Sequence, residues 1–175
     1  ISNGSAVNAR AKSPPMWYEQ GPCVSFFVGG GGDGQPFGAE LKQLATPMYL
    51  DGYLPIVTIK YQHEAATYVE EAFAAVDGVS AAHGGAMLRF SIDAAGDAAT
   101  ERKIAARIES DGPLHEDRGC IFNSKGECLV AFSPAWQWEA RQNMLVAGLT
   151  PGKTAEFAIY TKPVARAQKI SSASY

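Results

Sequence analysis

The sequence predicts an all-β protein, an antiparallel β-sandwich, and three observations carry that expectation. The stretch 119–132, GCIFNSKGECLVAF, sets two short apolar runs around Asn123-Ser124-Lys125-Gly126. Asparagine opens a type I turn and glycine takes the left-handed position that ends it, so the stretch reads as a hairpin. The run 149–160, LTPGKTAEFAIY, turns at Pro151-Gly152 and then alternates Ala155, Phe157 and Ile159 against Glu156, Ala158 and Tyr160. That two-residue period belongs to a strand with one face inward. Eighteen glycines, ten prolines and only 19% charged residues in a chain of 175 suit a turn-rich sheet protein better than a helical bundle.

Taken in order, residues 1–20 are polar and broken by Pro14-Pro15, an extended lead-in with at most one short strand. Cys23 to Val28 is an apolar strand, followed by a long glycine loop from Gly29 to Gly38. Glu40 to Ala45 can make one helical turn before Pro47 stops it. Asp51-Gly52 opens a strand from Leu54 to Tyr61, in which Ile56, Thr58 and Lys60 oppose Val57, Ile59 and Tyr61. The next stretch, Glu64 to Val76, sets two local rules against each other. Ala65, Tyr68, Val69, Ala72, Phe73 and Val76 recur at the spacing of an amphipathic helix, and alanine is the best helix former, yet the stretch follows a strand after a short connection. Periodicity alone favours helix there.

Met87 to Ile92 is a strand and Ala94 to Ala99 a loop of small residues. Ile104, Ala106 and Ile108 alternate with Lys103, Ala105, Arg107 and Glu109 as in a half-exposed strand, although the alanines again permit helix. Asp111-Gly112-Pro113 turns the chain, and after the hairpin come strand segments at Ala135 to Trp138 and Asn143 to Ala147. The expected organisation is a single sandwich domain over 21–163, with a Ser-rich linker or tail over 164–175.

A net charge of −3 argues against a sequence-independent grip on nucleic acid or anionic lipid. No apolar run approaches the ~18 residues that would span a bilayer. The chain opens at Ile1 without Met or a signal sequence, as a processed form or a piece of something longer would. Three cysteines cannot all pair within the chain. In the hairpin register Phe122 faces Cys128, which leaves Cys120 and Cys128 diagonal on one face and within reach of a disulfide. Cys23, inside an apolar run, reads as a buried thiol.

Gly29 to Gly34 fits G-x-G-x-x-G after an apolar strand, with Asp51 roughly where a ribose-binding acid belongs. A run of glycines fits that pattern by default, and Pro36 and Gly38 interrupt the helix that would have to present amides to a pyrophosphate. The run therefore reads as a turned loop, and no cofactor is expected. His63, His83 and His115 are scattered, with no metal-ligand spacing. Glu70 and Glu71 are adjacent and on a strand point to opposite faces, which removes the obvious carboxylate pair for glycoside hydrolysis. Glu116-Asp117 fits an exposed loop approaching a strand. No residue is assigned a catalytic or metal-binding role. Trp136 and Trp138 lie two apart, so a strand places both indoles on one face, where with Trp17 they are candidates for stacking on sugar rings. The alternative is that they fill a sandwich core or dock against a neighbouring domain.

Four segments, LDGYLPIV (50–57), YVEEAF (68–73), GCIFNSKG (119–126) and LTPGK (149–153), resemble in order and spacing the N-terminal β-sandwich of large bacterial glycoside-hydrolase-like proteins, in which a supersandwich precedes an (α/α)6 toroid. The resemblance spans about residues 20 to 163. It implies that Tyr68 to Phe73 is a strand returning antiparallel to Pro55 to Tyr61, with Gln62 to Thr67 as the hairpin loop. Functionally it implies a non-catalytic scaffold, secreted or periplasmic, whose partner is a catalytic helical domain or chain that holds the acid and base carboxylates. An autonomous carbohydrate-binding module and a structural or adhesive subunit that assembles into an oligomer are the other readings.

Overall fold

A computed structural model describes residues 6–7, 21–30, 34–76, 78–93 and 100–165. Trp17, the loop expected at 94–99 and the Ser-rich end from 166 on lie outside the described residues. In chain order the strands are β1 (Ala6–Val7), β2 (Cys23–Val28), β3 (Gln35–Pro36), β4 (Met48–Leu50), β5 (Leu54–His63), β6 (Ala66–Ala74) and β7 (Gly85–Asp93). They continue as β8 (Arg102–Glu109), β9 (His115–Asp117), β10 (Cys120–Phe122), β11 (Glu127–Phe132), β12 (Trp136–Glu139), β13 (Met144–Leu149) and β14 (Ala155–Ala165). A short helix, α1 (Gly78–Ala82), connects β6 to β7.

The strands form two antiparallel sheets, as the sequence predicts. The smaller runs β1-β2-β8-β13-β12, with β3 also on β2, and the larger runs β4-β5-β6-β7-β14-β11-β10-β9. Alternation decides which side chains meet between them. Val24, Phe26 and Val28 of β2, Ile104, Ala106 and Ile108 of β8, and Leu145, Ala147 and Leu149 of β13 pack against the larger sheet. From that sheet come Ile59 and Tyr61, Leu88, Phe90 and Ile92, and Phe157 and Ile159. At the centre Phe26 lies 4.9 Å from Phe90 and 6.0 Å edge-on from Phe157, ring arrangements that aromatic quadrupoles favour.

A second, smaller apolar cluster sits on the outer face of the larger sheet, where Met87, Phe122, Cys128, Ala131, Ala158, Tyr160 and Val164 meet. Val79 of α1 packs against it, and Ser80 Oγ lies 3.4 Å from Tyr160 Oη. This cluster explains why both faces of β14 are apolar over Phe157 to Tyr160.

The helical periodicity of Glu64 to Val76 is overridden. β6 is a strand, paired with β5 from His63↔Ala66 to Val57↔Ala72 and with β7 from Thr67↔Asp93 to Ala74↔Ala86. Two ladders satisfy the backbone of this segment from both sides, which outweighs the few tenths of a kcal/mol per residue (roughly) that separate alanine from average helix formers. The connection is tighter than the Gln62 to Thr67 loop that the resemblance implies, because only Glu64 and Ala65 stand outside the strands and Glu64 takes φ +53°.

Glu116 and Asp117 lie on a strand rather than in a loop. Arg118 (φ +51°) and Gly119 (φ +76°) are both left-handed, as a two-residue type I′ turn requires, so Asp117 pairs with Cys120. Glu116 Oε1 accepts from the Gly119 amide at 2.9 Å and fixes that turn. The helical turn expected at Glu40 to Ala45 is a 3-10 turn at Leu41–Gln43. β14 runs on to Ala165, two residues past position 163, with Val164 buried.

Candidate functional site

On the outer face of the smaller sheet, β8, β13 and β12 present the residues that alternation turns away from the core. Lys103 stands opposite Gly148, and Gln137 opposite Val146. With Glu101, Glu139, Lys153 and Thr154 they line a polar groove of about 480 Å3. Gly148 gives it its floor. A Cβ at that position would fall 2.5 Å from Glu101 Cδ, so the missing side chain is what lets the Glu101 carboxyl lie over the strand. Carboxylates accept, ammonium groups and an amide nitrogen donate, and the groove carries both kinds. Such a strip suits a neutral ligand that both gives and receives hydrogen bonds, such as a polyhydroxylated chain. Among the described residues no aromatic side chain lines it.

The tryptophans belong to the opposite face of the same strand. Trp136 is 4% exposed, edge-on to Phe157 at 5.5 Å and to Phe90 at 6.0 Å. Its Nε1 donates to the Glu156 carbonyl at 2.9 Å, tying β12 of one sheet to β14 of the other. Trp136 is therefore an inter-sheet strut and offers no face to a sugar ring. Trp138, on the same side of β12, is half-buried and packs against the core. The two indoles share a face, as their spacing predicts, and that face looks inward.

A different kind of surface lies along one edge of the larger sheet. The segment from the Leu41 turn to β4 borders β5, with Leu44 bridging to Tyr61, Ala45 N donating to Lys60 O at 2.9 Å, and Met48 and Tyr49 opposite Thr58 and Val57. Four large apolar side chains stand out from it: Leu41 (73% exposed), Met48 (64%), Tyr49 (58%) and, at the turn into β5, Tyr53 (76%).

The start of the glycine run is accounted for by packing. Gly29 (φ +85°) lies against the His63 ring, where a Cβ would come within 2.6 Å of Nε2, and its amide donates to Lys103 O at 3.2 Å. His63 in turn stacks on Tyr61 at 12° between planes. His83 Nδ1 lies 3.1 Å from the carbonyls of both Lys162 and Pro163, and the His115 ring stacks on Phe122. Glu70 and Glu71 do diverge. Glu71 meets Arg89 Nη1 at 3.1 Å on the outer face, whereas Glu70 is fully buried between Ile59 and Phe90, with neither carboxyl oxygen hydrogen-bonded among the described residues. Burial pushes its pKa up to about 8.

Cys23, Cys120 and Cys128 are not in disulfides, and Cys23 and Cys128 are buried. Among the described residues no group of three or more His, Cys, Asp or Glu side chains is placed to hold a metal ion, and no helix is long and apolar enough to cross a membrane. The groove residues carried one sequence signal, the outward half of a two-residue alternation, and that half looks the same whether it faces a ligand or only water. No known protein family, curated protein or solved structure matches the chain.

Proposed function

We propose that the chain is an architectural, non-catalytic β-sandwich module of a carbohydrate-active protein of the cell exterior or periplasm, packing through the open edge of its larger sheet against a further domain or chain. The observation that supports this reading is the row Leu41, Met48, Tyr49 and Tyr53. Large apolar side chains exposed along one sheet edge, on both faces of its edge strand, mark a contact surface, and an edge strand with open backbone groups adds an incentive to cover it. The resemblance to sandwiches that precede an (α/α)6 toroid names the partner: a helical catalytic domain, to which bond cleavage belongs in this reading. Cross-linking of the protein purified from its natural source tests it. Lys42 and Lys60 flank the row, and their cross-links are expected to reach a helical polypeptide segment outside this sandwich. Cross-links confined to the sandwich, with Tyr49 and Tyr53 open to surface labelling, would remove the basis of the proposal.

The polar groove favours a second reading, a module that holds a saccharide through Gln137, Glu139, Lys103 and Lys153. Calorimetric titration with neutral oligosaccharides separates the two. Binding abolished by Gln137→Ala and by Gly148→Leu supports the groove, and heats no different from dilution dismiss it.

A further inference from the structure

The outer-face cluster of the larger sheet contains a pair of thiols that neither reading uses. Cys120 on β10 and Cys128 on β11 belong to one hairpin, joined through the turn at Asn123 to Gly126. Phe122 pairs with Cys128, but Ile121 pairs with Val130 and Cys120 with Ala131, so Leu129 is an extra residue in β11. That bulge keeps Cys128 and Ala131 on the same outer face as Cys120 and Phe122, in one apolar cluster.

Within it the two sulfurs differ in access. Cys128 is fully buried with its Sγ donating to the Val130 carbonyl at 3.2 Å, and Cys120, packed against the same cluster, is half-exposed near the sheet edge. The charged and titratable groups facing them are Glu116 and Asp117 of β9 and the Tyr160 hydroxyl of β14. The neighbouring Cys128 thiol outweighs burial and the two carboxylates and lowers the pKa of Cys120, whereas the neighbouring Cys120 and burial raise that of Cys128.

We infer that Cys120 and Cys128 form a thiol–disulfide exchange site for low-molecular-weight disulfides, with Cys120 as the attacking sulfur and Cys128 as the resolving one. The Cys120 thiolate attacks one sulfur of the reagent, breaking its S–S bond and releasing one thiolate that takes up a proton from water. The result is a mixed disulfide on Cys120. Cys128 then loses its proton to solvent and attacks Cys120 Sγ, and the second thiolate of the reagent leaves and is protonated. Two cysteine thiols have lost two electrons, one disulfide has been reduced to two thiols, and β10 is bonded to β11. Cys23, on β2 of the other sheet and 3% exposed, takes no part.

Oxidised glutathione is the probe, and intact mass with alkylation of remaining thiols under denaturing conditions is the readout. The folded chain is expected to lose two hydrogens, retain no glutathione and leave one alkylatable cysteine, Cys23. Cys128→Ser is expected to hold one glutathione on Cys120, at least tenfold more than the parent chain. Cys120→Ser is expected to hold none. A parent chain that stays fully alkylatable, or that keeps the adduct without closing the bond, would overturn the inference. Because the parent chain alone can support or overturn the inference, a variant that fails to fold does not blunt the test.

Discussion

Glu70 is the residue at which the fold tolerates its largest local conflict. It holds a core position of β6 with Ile59 on one side and Phe90 on the other, and its carboxyl has no hydrogen-bonding partner among the described residues. Burial lifts its folded pKa to about 8 from an ordinary 4.5. Below 4.5 both the folded and the unfolded chain carry the proton and the group costs nothing through ionisation. As pH rises from 4.5 to 8 the unfolded chain releases the proton and the folded chain does not, so stability falls, and above 8 the loss levels off. At about 1.4 kcal/mol per unit, the loss amounts to about 5 kcal/mol. Urea unfolding of the parent chain and of Glu70→Gln across this window is expected to show a difference in stability that grows in favour of the variant as pH rises. Parallel curves would place the carboxylate in water. Trp136 makes the opposite case, a polar atom buried and satisfied. Trp136→Phe is expected to cost about 1 to 2 kcal/mol through the lost bond to the Glu156 carbonyl and some volume. Trp136→Ala is expected to cost about 3 to 5 kcal/mol, because the strut between the sheets leaves a cavity. Thermal unfolding checks both.

Among elements, the β10–β11 hairpin was legible because its information is local. Asn123 Oδ1 accepts from the amides of Lys125 and Glu127 at 3.0 Å each, and its Nδ2 donates to Glu127 Oε2 at 2.8 Å. Gly126 closes the turn at φ +74° with open space where a Cβ would be. Asn123→Ala is therefore expected to cost about 1 to 2 kcal/mol in lost hydrogen bonds, and Gly126→Ala about 1 to 2 kcal/mol in left-handed strain alone. If the two equilibrium unfolding losses were below a few tenths of a kcal/mol, the turn would not be specifying the hairpin. β6 marks where local information runs out. Its alanines and spacing read as helix, and what makes it a strand is the pair of neighbours, β5 and β7, that no window of its own sequence contains. The Leu129 bulge and the β9–β10 turn at Arg118-Gly119 escaped for a related reason. A bulge is visible only against its partner strand, and arginine carries no signal for positive φ.

At the scale of the whole molecule, alternation revealed which class of fold this is, and it revealed the tryptophan pair's common side, but not whether that side faces core or solvent. Period alone assigns residues to two faces without saying which is wet, and Trp136 resolves it only through Phe90 and Phe157, contributed by strands far away in the chain. The same ambiguity hid the apolar edge, since Leu41, Met48, Tyr49 and Tyr53 look like ordinary core residues in sequence. Their exposure makes a prediction about the isolated sandwich. A three-residue edge strand with Met48 and Tyr49 open to solvent gives a second sheet edge both backbone groups and apolar area to pair with. On its own in solution, the chain is expected to self-associate as concentration rises. Met48→Lys with Tyr49→Lys is expected to hold it monomeric at the same concentration without loss of thermal stability, because neither side chain is buried in the fold and a lysine on an edge strand opposes pairing. Small-angle scattering across a dilution series reads this directly. Association unchanged in the double variant would place the sticky surface elsewhere, and a drop in melting temperature would mean that these side chains hold the sandwich itself together.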